Sequence, residues 1–402
     1  MIAKGFGITK ALFYLPMKDI SKIINHLGED REEYANAVAP PIYQTSNFCF
    51  DSVKDLRESL DKEYELPFYT RGYNPTVAIL RKKLAALEGS EDALVFASGA
   101  AAISAAVMSV VQNGDHIICV SKPYSWTGRL LGDYLNKYGV KTTFVDGTEV
   151  SNFQKAIQSS TKLIYLESPN SVTFELQDLK SIAKLAKENS IVTVCDNSYS
   201  TPLYQQPIEM GIDMVVHSAS KYIGGHSDLV AGVLCASNDK IATIFDSEFM
   251  TIGGIVSPNE AWLMIRGLRT LPIRLDRSNE TAKKVVSFLE THPKIEKVLH
   301  PFSNDHPQVD LAKKQMTGCG GLFSFLVKAD GMEDVERFCD RLNCFLMACS
   351  WGGHESLVFP TCALYNSDNY KNSEIPWNLV RMYVGLEEPA LLIEDISQAL
   401  GD

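Results

Sequence analysis

The sequence predicts an α/β protein: a mainly parallel sheet covered by helices on both faces, followed by a smaller α+β lobe. Three observations carry this reading. Between residues 93 and 237, short apolar runs alternate with helical stretches, the rhythm of repeated βαβ units. Polar residues gather just past the ends of those runs, where open α/β sheets keep their chemistry. Near Ser257-Pro258 and again from Arg266 to Pro272 the pattern shifts, and a long helical stretch leads into a region with strands of its own.

Taken in order, residues 1–72 read as an N-terminal arm, 73–271 as a large domain and 272–402 as a small one. Met1 to Pro16 holds a lysine and the apolar patch Ala11 to Leu15, too short to span a membrane and lacking a signal-peptide cleavage site. It reads as a mobile arm or extra leader, with Met17 a candidate natural start. Residues 17–65 are expected to be extended with one helical turn or two, since Pro40-Pro41 forbids regular structure. Such an arm should pack poorly on its own body and clasp a partner subunit. An amphipathic helix follows over 77–90, then a strand over 93–96, the turn Ser98-Gly99-Ala100 and a helix over 101–111. Strands are expected at 116–120, 142–145, 163–166, 191–194 and 214–216. In the helix 178–189, Leu179, Ile182, Leu185 and Ala186 share one face. The long helix is expected from about 273 to 291, and the small lobe has strands at 322–327 and 379–384.

Composition narrows the function. The 402 residues are 45% hydrophobic and 22% charged, enough for a sizeable core. A formal net charge of −11 argues against a nucleic-acid or anionic-membrane partner, which needs a basic footprint. The nine cysteines are scattered without a Cys-x-x-Cys pair, so neither zinc nor a redox motif is indicated, and a reducing cytoplasm is the expected compartment.

The chain is organised around His217-Ser218-Ala219-Ser220-Lys221-Tyr222-Ile223-Gly224-Gly225-His226-Ser227-Asp228, which follows the apolar run Met214 to Val216. A lysine just past a strand end, among small residues, can be desolvated. Desolvation disfavours the ammonium and makes the amine a usable nucleophile and base. An arbitrary Ser-x-Ser-Lys is more often a solvated loop, so context must decide. The strand–turn–helix at Ser98, Gly99 and Ala100 adds free amides and a positive dipole end, a seat for an anion. Val194-Cys195-Asp196-Asn197-Ser198 ends a strand on an acid, which as local structure could simply cap the next turn. His226 reads as a hydrogen-bonded structural histidine.

Together with Tyr69-Thr70-Arg71-Gly72-Tyr73-Asn74-Pro75-Thr76, Cys349-Ser350-Trp351-Gly352-Gly353 and Val380-Arg381-Met382-Tyr383-Val384-Gly385, these runs resemble the cysteine and methionine metabolism family of pyridoxal-phosphate enzymes. The resemblance extends from about residue 36 to the C-terminus. It implies pyridoxal 5'-phosphate as cofactor, bound as an imine on Lys221, on a large domain of the aspartate-aminotransferase type. It implies that Asp196 pairs with the cofactor's pyridine nitrogen and that Tyr124 stacks on its ring, assisting proton transfer with a phenol pKa lowered by nearby cations. Ser98, Gly99, Ala100, Ser218 and Ser220 would cup the phosphate, joined by Tyr69 and Arg71 from a neighbouring subunit. Arg381 would grip the substrate α-carboxylate, with Ser350 orienting the substrate or that arginine. A homotetramer of two site-sharing dimers follows, with no metal ion.

Within the family, Glu167-Ser168-Pro169-Asn170-Ser171 and the tryptophan of Ser350-Trp351-Gly352-Gly353 resemble β-lyases. Ser171 stands where the commoner motif has asparagine, and Asn170 could shift to serve. Tyr-Thr-Arg-Gly-Tyr-Asn-Pro-Thr is nearer the γ-acting style. The resemblance thus implies β-elimination on a small sulfur amino acid such as cystathionine, giving thiol, pyruvate and ammonia. γ-Replacement or γ-elimination is the alternative. A cofactor binder without turnover and an aminotransferase are the rival classes.

Overall fold

The computed structural model describes residues 19–365 and 375–401. The expected leader, Met1 to Pro16, lies outside the described residues. Seven strands form the larger sheet: β1 (Asp92–Phe96), β2 (His116–Val120), β3 (Lys141–Val145), β4 (Thr161–Glu167), β5 (Val192–Asp196), β6 (Met214–Ser218) and β7 (Gly232–Ala236). Their order is β1-β7-β6-β5-β4-β2-β3. Neighbours from β6 to β3 run parallel, while β7 is antiparallel to both β6 and β1. β2 and β7 are buried along their whole length, as strands covered on both faces must be. The two-residue period of a strand sorts side chains between the faces. Along β1, Leu94 and Phe96 enter one core with Ile117 and Val194, while Ala93 and Val95 enter another with Leu80 and Leu268.

A five-stranded sheet follows, from β8 (Ile295–Leu299), β9 (Leu322–Val327), β10 (Leu346–Met347), β11 (Leu357–Pro360) and β12 (Leu379–Tyr383), in the order β10-β11-β12-β9-β8. Its own core packs against Val285 and Leu289 of the preceding helix and Leu392 and Ile396 of the last one.

The helix joining the two sheets departs from expectation. It runs from Pro258 to Thr291, starting fifteen residues earlier than the sequence suggests, and continues through Pro272. Residue 272, where the sequence divides the domains, therefore lies inside it. Ser257 caps its start with a reciprocal capping box to Glu260. Proline removes the N–H that would have met the Leu268 carbonyl; the helix nevertheless continues, with Leu268, Leu271 and Leu275 buried in one core, and Arg274 folds back to donate to the Gly267 carbonyl at 2.8 Å. Gly267 also lets the helix touch another backbone: a Cβ there would lie 2.5 Å from the carbonyls of Ile223 and Gly224. The joining helix thus braces the segment that follows Lys221.

The arm is a second departure. Much of it packs on its own body rather than standing clear. Ile20–His26 is a helix whose Ile23 and Ile24 are buried. The Trp262 indole donates to Pro40 O, and Asn74 Nδ2 donates to Tyr43 O. Glu29 is the anchor: fully buried, it pairs with Lys83 at 3.0 Å, Arg31 at 2.8 Å and Arg269 at 3.1 Å, joining three helical segments. The excursion beyond is looser. Helix Val53–Leu60 buries nothing and exposes Val53, Leu56 and Leu60 as one stripe.

Among the described residues, no helix is long and apolar enough to cross a membrane, and no cluster of His, Cys, Asp and Glu is arranged to hold a metal ion. Glu29→Ala strands the Lys83 ammonium, which then has only the carbonyls of Ile23 and Ile24. It should cost on the order of 3 kcal/mol. A urea midpoint unchanged from the parent protein would contradict this.

Candidate active site

The carboxyl ends of β1, β4, β5 and β6 lie on one edge of the larger sheet, and the chemistry collects there. After β6 the chain turns tightly, with Lys221 N donating to Ser218 O at 3.1 Å, before β7 runs back. Lys221 Nζ donates to Ser350 Oγ at 3.1 Å and lies over the Trp351 ring, 5.8 Å from its centroid. Burial lowers the pKa of this amine and the Arg381 guanidinium lowers it further, against Cys349 and Asp196.

Asp196 ends β5 and is buried. Its Oδ1 accepts both the Ser198 amide, at 2.9 Å, and the Ser198 hydroxyl, at 2.6 Å. Its Oδ2 accepts no hydrogen bond among the described residues. Burial raises this carboxyl's pKa, while the Ser198 donors and then His217 and Lys221 act the other way.

At the end of β1, Ser98 caps the helix Gly99–Met108 by accepting from Ala101 N. The amides of Gly99 and Ala100 stand ahead of the first helical acceptor and remain available. Gly99 is backed directly onto Ser218, where a Cβ would approach within 3.0 Å. Ser218 keeps its hydroxyl free of hydrogen bonds within the described residues. Ser220 does not: its hydroxyl donates to Ala231 O and accepts from Ala231 N, tying the Lys221 turn to the chain entering β7.

Tyr124 follows β2 with its side chain partly exposed, at 43%, and partly buried. The expectation of a lowered phenol pKa is corrected. Burial raises it, and Cys349, Asp196 and Glu167 add in the same direction, with no cation among the causes. Its backbone amide donates to Glu167 Oε2 at 2.6 Å.

Glu167 is the residue that sequence reasoning missed. It ends β4 as Asp196 ends β5, and the two are register partners on adjacent strands. An acid closing the apolar run Leu163 to Leu166 was the available signal. Its other oxygen, Oε1, accepts from Ser171 N at 3.0 Å. Asn170, which the sequence suggested could shift to serve, is engaged locally: its Oδ1 accepts from the amides of Val172, Thr173 and Phe174, and its Nδ2 donates to Thr173 Oγ1 at 3.0 Å.

From the smaller sheet, Arg381 reaches back across the site. Nη2 donates to Cys349 O at 2.6 Å, Nη1 donates to Ser171 O at 3.3 Å, and the guanidinium lies over the Phe359 ring. It has no carboxylate partner among the described residues. Burial brings its pKa down to about 10, opposed by Cys349 and Glu167. Tyr69 and Arg71 stand apart, lining a surface groove with Gln44, Thr45 and Ser46. Arg71 lies over the Tyr69 ring and makes no contact with the Lys221 group. Chemically, the cluster offers a desolvated amine, a carboxylate with one oxygen to spare, an anion seat at a helix start and an unpaired arginine.

Comparison with known proteins bears on this arrangement. The family model described as Cys/Met metabolism PLP-dependent enzyme matches residues 21–401. The cystathionine gamma-lyase of Bacillus subtilis is 35% identical over 93% of this chain and 97% of its own. The cystathionine beta-lyase of Lactococcus lactis subsp. cremoris is 36% identical, covering 96% and 99%. The crystal structure of metB from Corynebacterium glutamicum superposes with a TM-score of 0.89 at 33% identity, over 96% of this chain and 98% of that one.

With bound small molecules removed, Lys221 should react with acetic anhydride along a pH profile centred below the ordinary lysine value of 10.5. Arg381→Leu should move that profile upward, since the repelling cation is gone. An unshifted profile in both proteins would remove the electrostatic reading of this amine.

Proposed function

The chain belongs to the Cys/Met metabolism family of pyridoxal-phosphate-dependent enzymes, and from that premise we propose that it is a carbon–sulfur lyase acting by β-elimination on cystathionine-like amino acids. The products would be a thiol, pyruvate and ammonia. The observation that carries this reading is Arg381, without a carboxylate partner among the described residues and near enough to the desolvated Lys221 to lower its pKa, joined to it through Cys349 and Ser350.

The residues present fit the cofactor. A ring nitrogen that must stay protonated needs a carboxylate with an unused oxygen, and Asp196 Oδ2 is one. A phosphate needs free amides and hydroxyls, which Gly99, Ala100, Ser98 and Ser218 supply. Lys221 is the amine that would hold the cofactor. When bound, pyridoxal 5'-phosphate supplies an aldehyde that takes an amine covalently and a ring that withdraws electrons from the adjacent carbon.

The chain's own residues account for the rest. Arg381 binds the substrate carboxylate through its planar fork, the geometry for which arginine is suited. Its place fixes the α-carbon relative to Lys221, whose Nζ, neutral more readily than an ordinary lysine's, takes the α-proton. Ser350 orients that amine through its hydroxyl. Tyr124, its phenol held protonated by burial and three acidic neighbours, is a proton donor for a departing thiolate. Trp351 is 6% exposed and closes the site against water on the lysine side.

A γ-acting reading stands beside this one, because relatives of both kinds match at nearly the same identity, 35% and 36%, and the run Tyr69 to Thr76 has the γ-acting style. Tyr69 and Arg71 would complete the phosphate seat of a neighbouring copy, which makes a dimer obligatory and a tetramer of two such dimers the expected assembly. The exposed stripe Val53, Leu56 and Leu60 supports such contact. The nine unpaired cysteines suit a reducing cytoplasm.

Borohydride trapping followed by peptide mapping should mark position 221. Lys221→Ala should lose the cofactor absorbance, with turnover falling by at least about a hundredfold, the low end for losing a general base. With cystathionine as substrate, pyruvate marks β-elimination and 2-oxobutyrate marks the γ route. A label at another lysine would overturn the assignment.

A further inference from the structure

Glu167 takes no part in the roles just assigned, yet its position is demanding. It is 5% exposed, and its neighbour in register on β5 is a second buried carboxylate, Asp196. Parallel strands bring such residues to within about 5 Å at the backbone. Two buried acids so close repel, and burial with that repulsion raises the Glu167 pKa. Stability alone would be better served by a neutral side chain at this place. What a carboxylate offers here is two acceptors at once. Oε2 takes the amide of Tyr124, and Oε1 takes the amide of Ser171. Glutamine has one oxygen, so its NH₂ would be set against one of those two N–H donors.

The two amides belong to the two sides of the site. Tyr124 carries the phenol. Ser171 offers its carbonyl to Arg381 Nη1 at 3.3 Å, and Arg381 Nη2 continues to Cys349 O, next in sequence to the Ser350 that accepts from Lys221. A chain of hydrogen bonds, completed by the peptide link from Cys349 to Ser350, therefore runs from Tyr124 through Glu167, Ser171, Arg381, Cys349 and Ser350 to Lys221. The frame behind Glu167 is fixed: its own amide is held by Gln177 Oε1 at 3.2 Å, and Gln177 N donates to Ser168 Oγ.

We infer that Glu167 is a positioning residue, which sets the spacing between Tyr124 and the carboxylate-binding Arg381 by accepting the Tyr124 and Ser171 amides on its two oxygens. The inference rests on the function proposed above. It names a determinant of how tightly the site reads a carboxylate, located on a residue that need touch neither substrate nor cofactor.

The test uses the holoenzyme and its Glu167→Gln and Glu167→Asp variants. Binding is read from the change in cofactor absorbance on titration with L-alanine, which has no leaving group, and with ethylamine, which has no carboxylate. Glu167→Gln should weaken L-alanine binding about tenfold or more while leaving ethylamine binding within twofold. The cofactor absorbance and the thermal midpoint should stay near those of the parent. Glu167→Asp keeps both acceptors on a shorter stem and should recover part of the L-alanine affinity. Equal weakening of both ligands, no weakening, or a loss that appears only with a fallen thermal midpoint would each overturn the inference. Failure of the parent reading looks different: the unmodified protein would show no cofactor absorbance at all, and the inference would fall with it.

Discussion

An arginine held by two backbone carbonyls, with no carboxylate paired to it among the described residues, is the constraint on which the site depends. A half-buried guanidinium without a paired carboxylate is costly unless something supplies one. Arg381 reaches from the smaller sheet to a loop of the larger one, so its charge sits at the seam between the two. The same cation depresses the Lys221 ammonium and is itself eased by Glu167 and Cys349. Under the proposed function, an anionic substrate at Arg381 would supply the missing counter-charge and steady the seam in a single event.

The single reversed strand of the larger sheet explains how the lysine comes to be there. Because β7 runs against β6, the chain must turn back within the sheet's active edge, and Lys221 lies in that turn. A helical crossover would have carried the chain away from this edge instead. The turn is secured at both ends, by Ser220 to Ala231 and by the bare Cα of Gly267 pressed against the carbonyls of Ile223 and Gly224. Rigidity at the lysine is thus borrowed from the helix that links the two sheets.

Much of this was legible in the sequence because it depended on local pattern. Strand ends carry the polar residues, and Lys221, Asp196, Ser98 and Ser218 could be read off that rule. Arg381 and Ser350 were found through motif resemblance, since nothing in an isolated valine-rich strand reveals what its arginine faces. Pro272 misled because the cost of an interior proline was visible, while the packing that carries the helix through it, with Leu268, Leu271 and Leu275 buried in one core, exists only in the fold. Tyr124 was hidden for a related reason: its acidic neighbours come from the folded surroundings, whereas Asn170 binds the amides of the next few residues, a local turn that spacing could have disclosed. Glu167 was passed over although it obeys the same strand-end rule as Asp196. Its importance arises from two amides 43 residues upstream and four downstream, a distribution that no linear motif records.

The neck formed where Asn47 bridges to Tyr69 gives the arm a further property. A length of chain fastened at both its beginning and its end behaves as a handle: it moves with the body that bears it and can be grasped by a neighbour, but it cannot be exchanged. In the proposed dimer, association through this handle would accordingly be a meeting of finished subunits, with the stretch between Asn47 and Tyr69 kept by the copy that bears it.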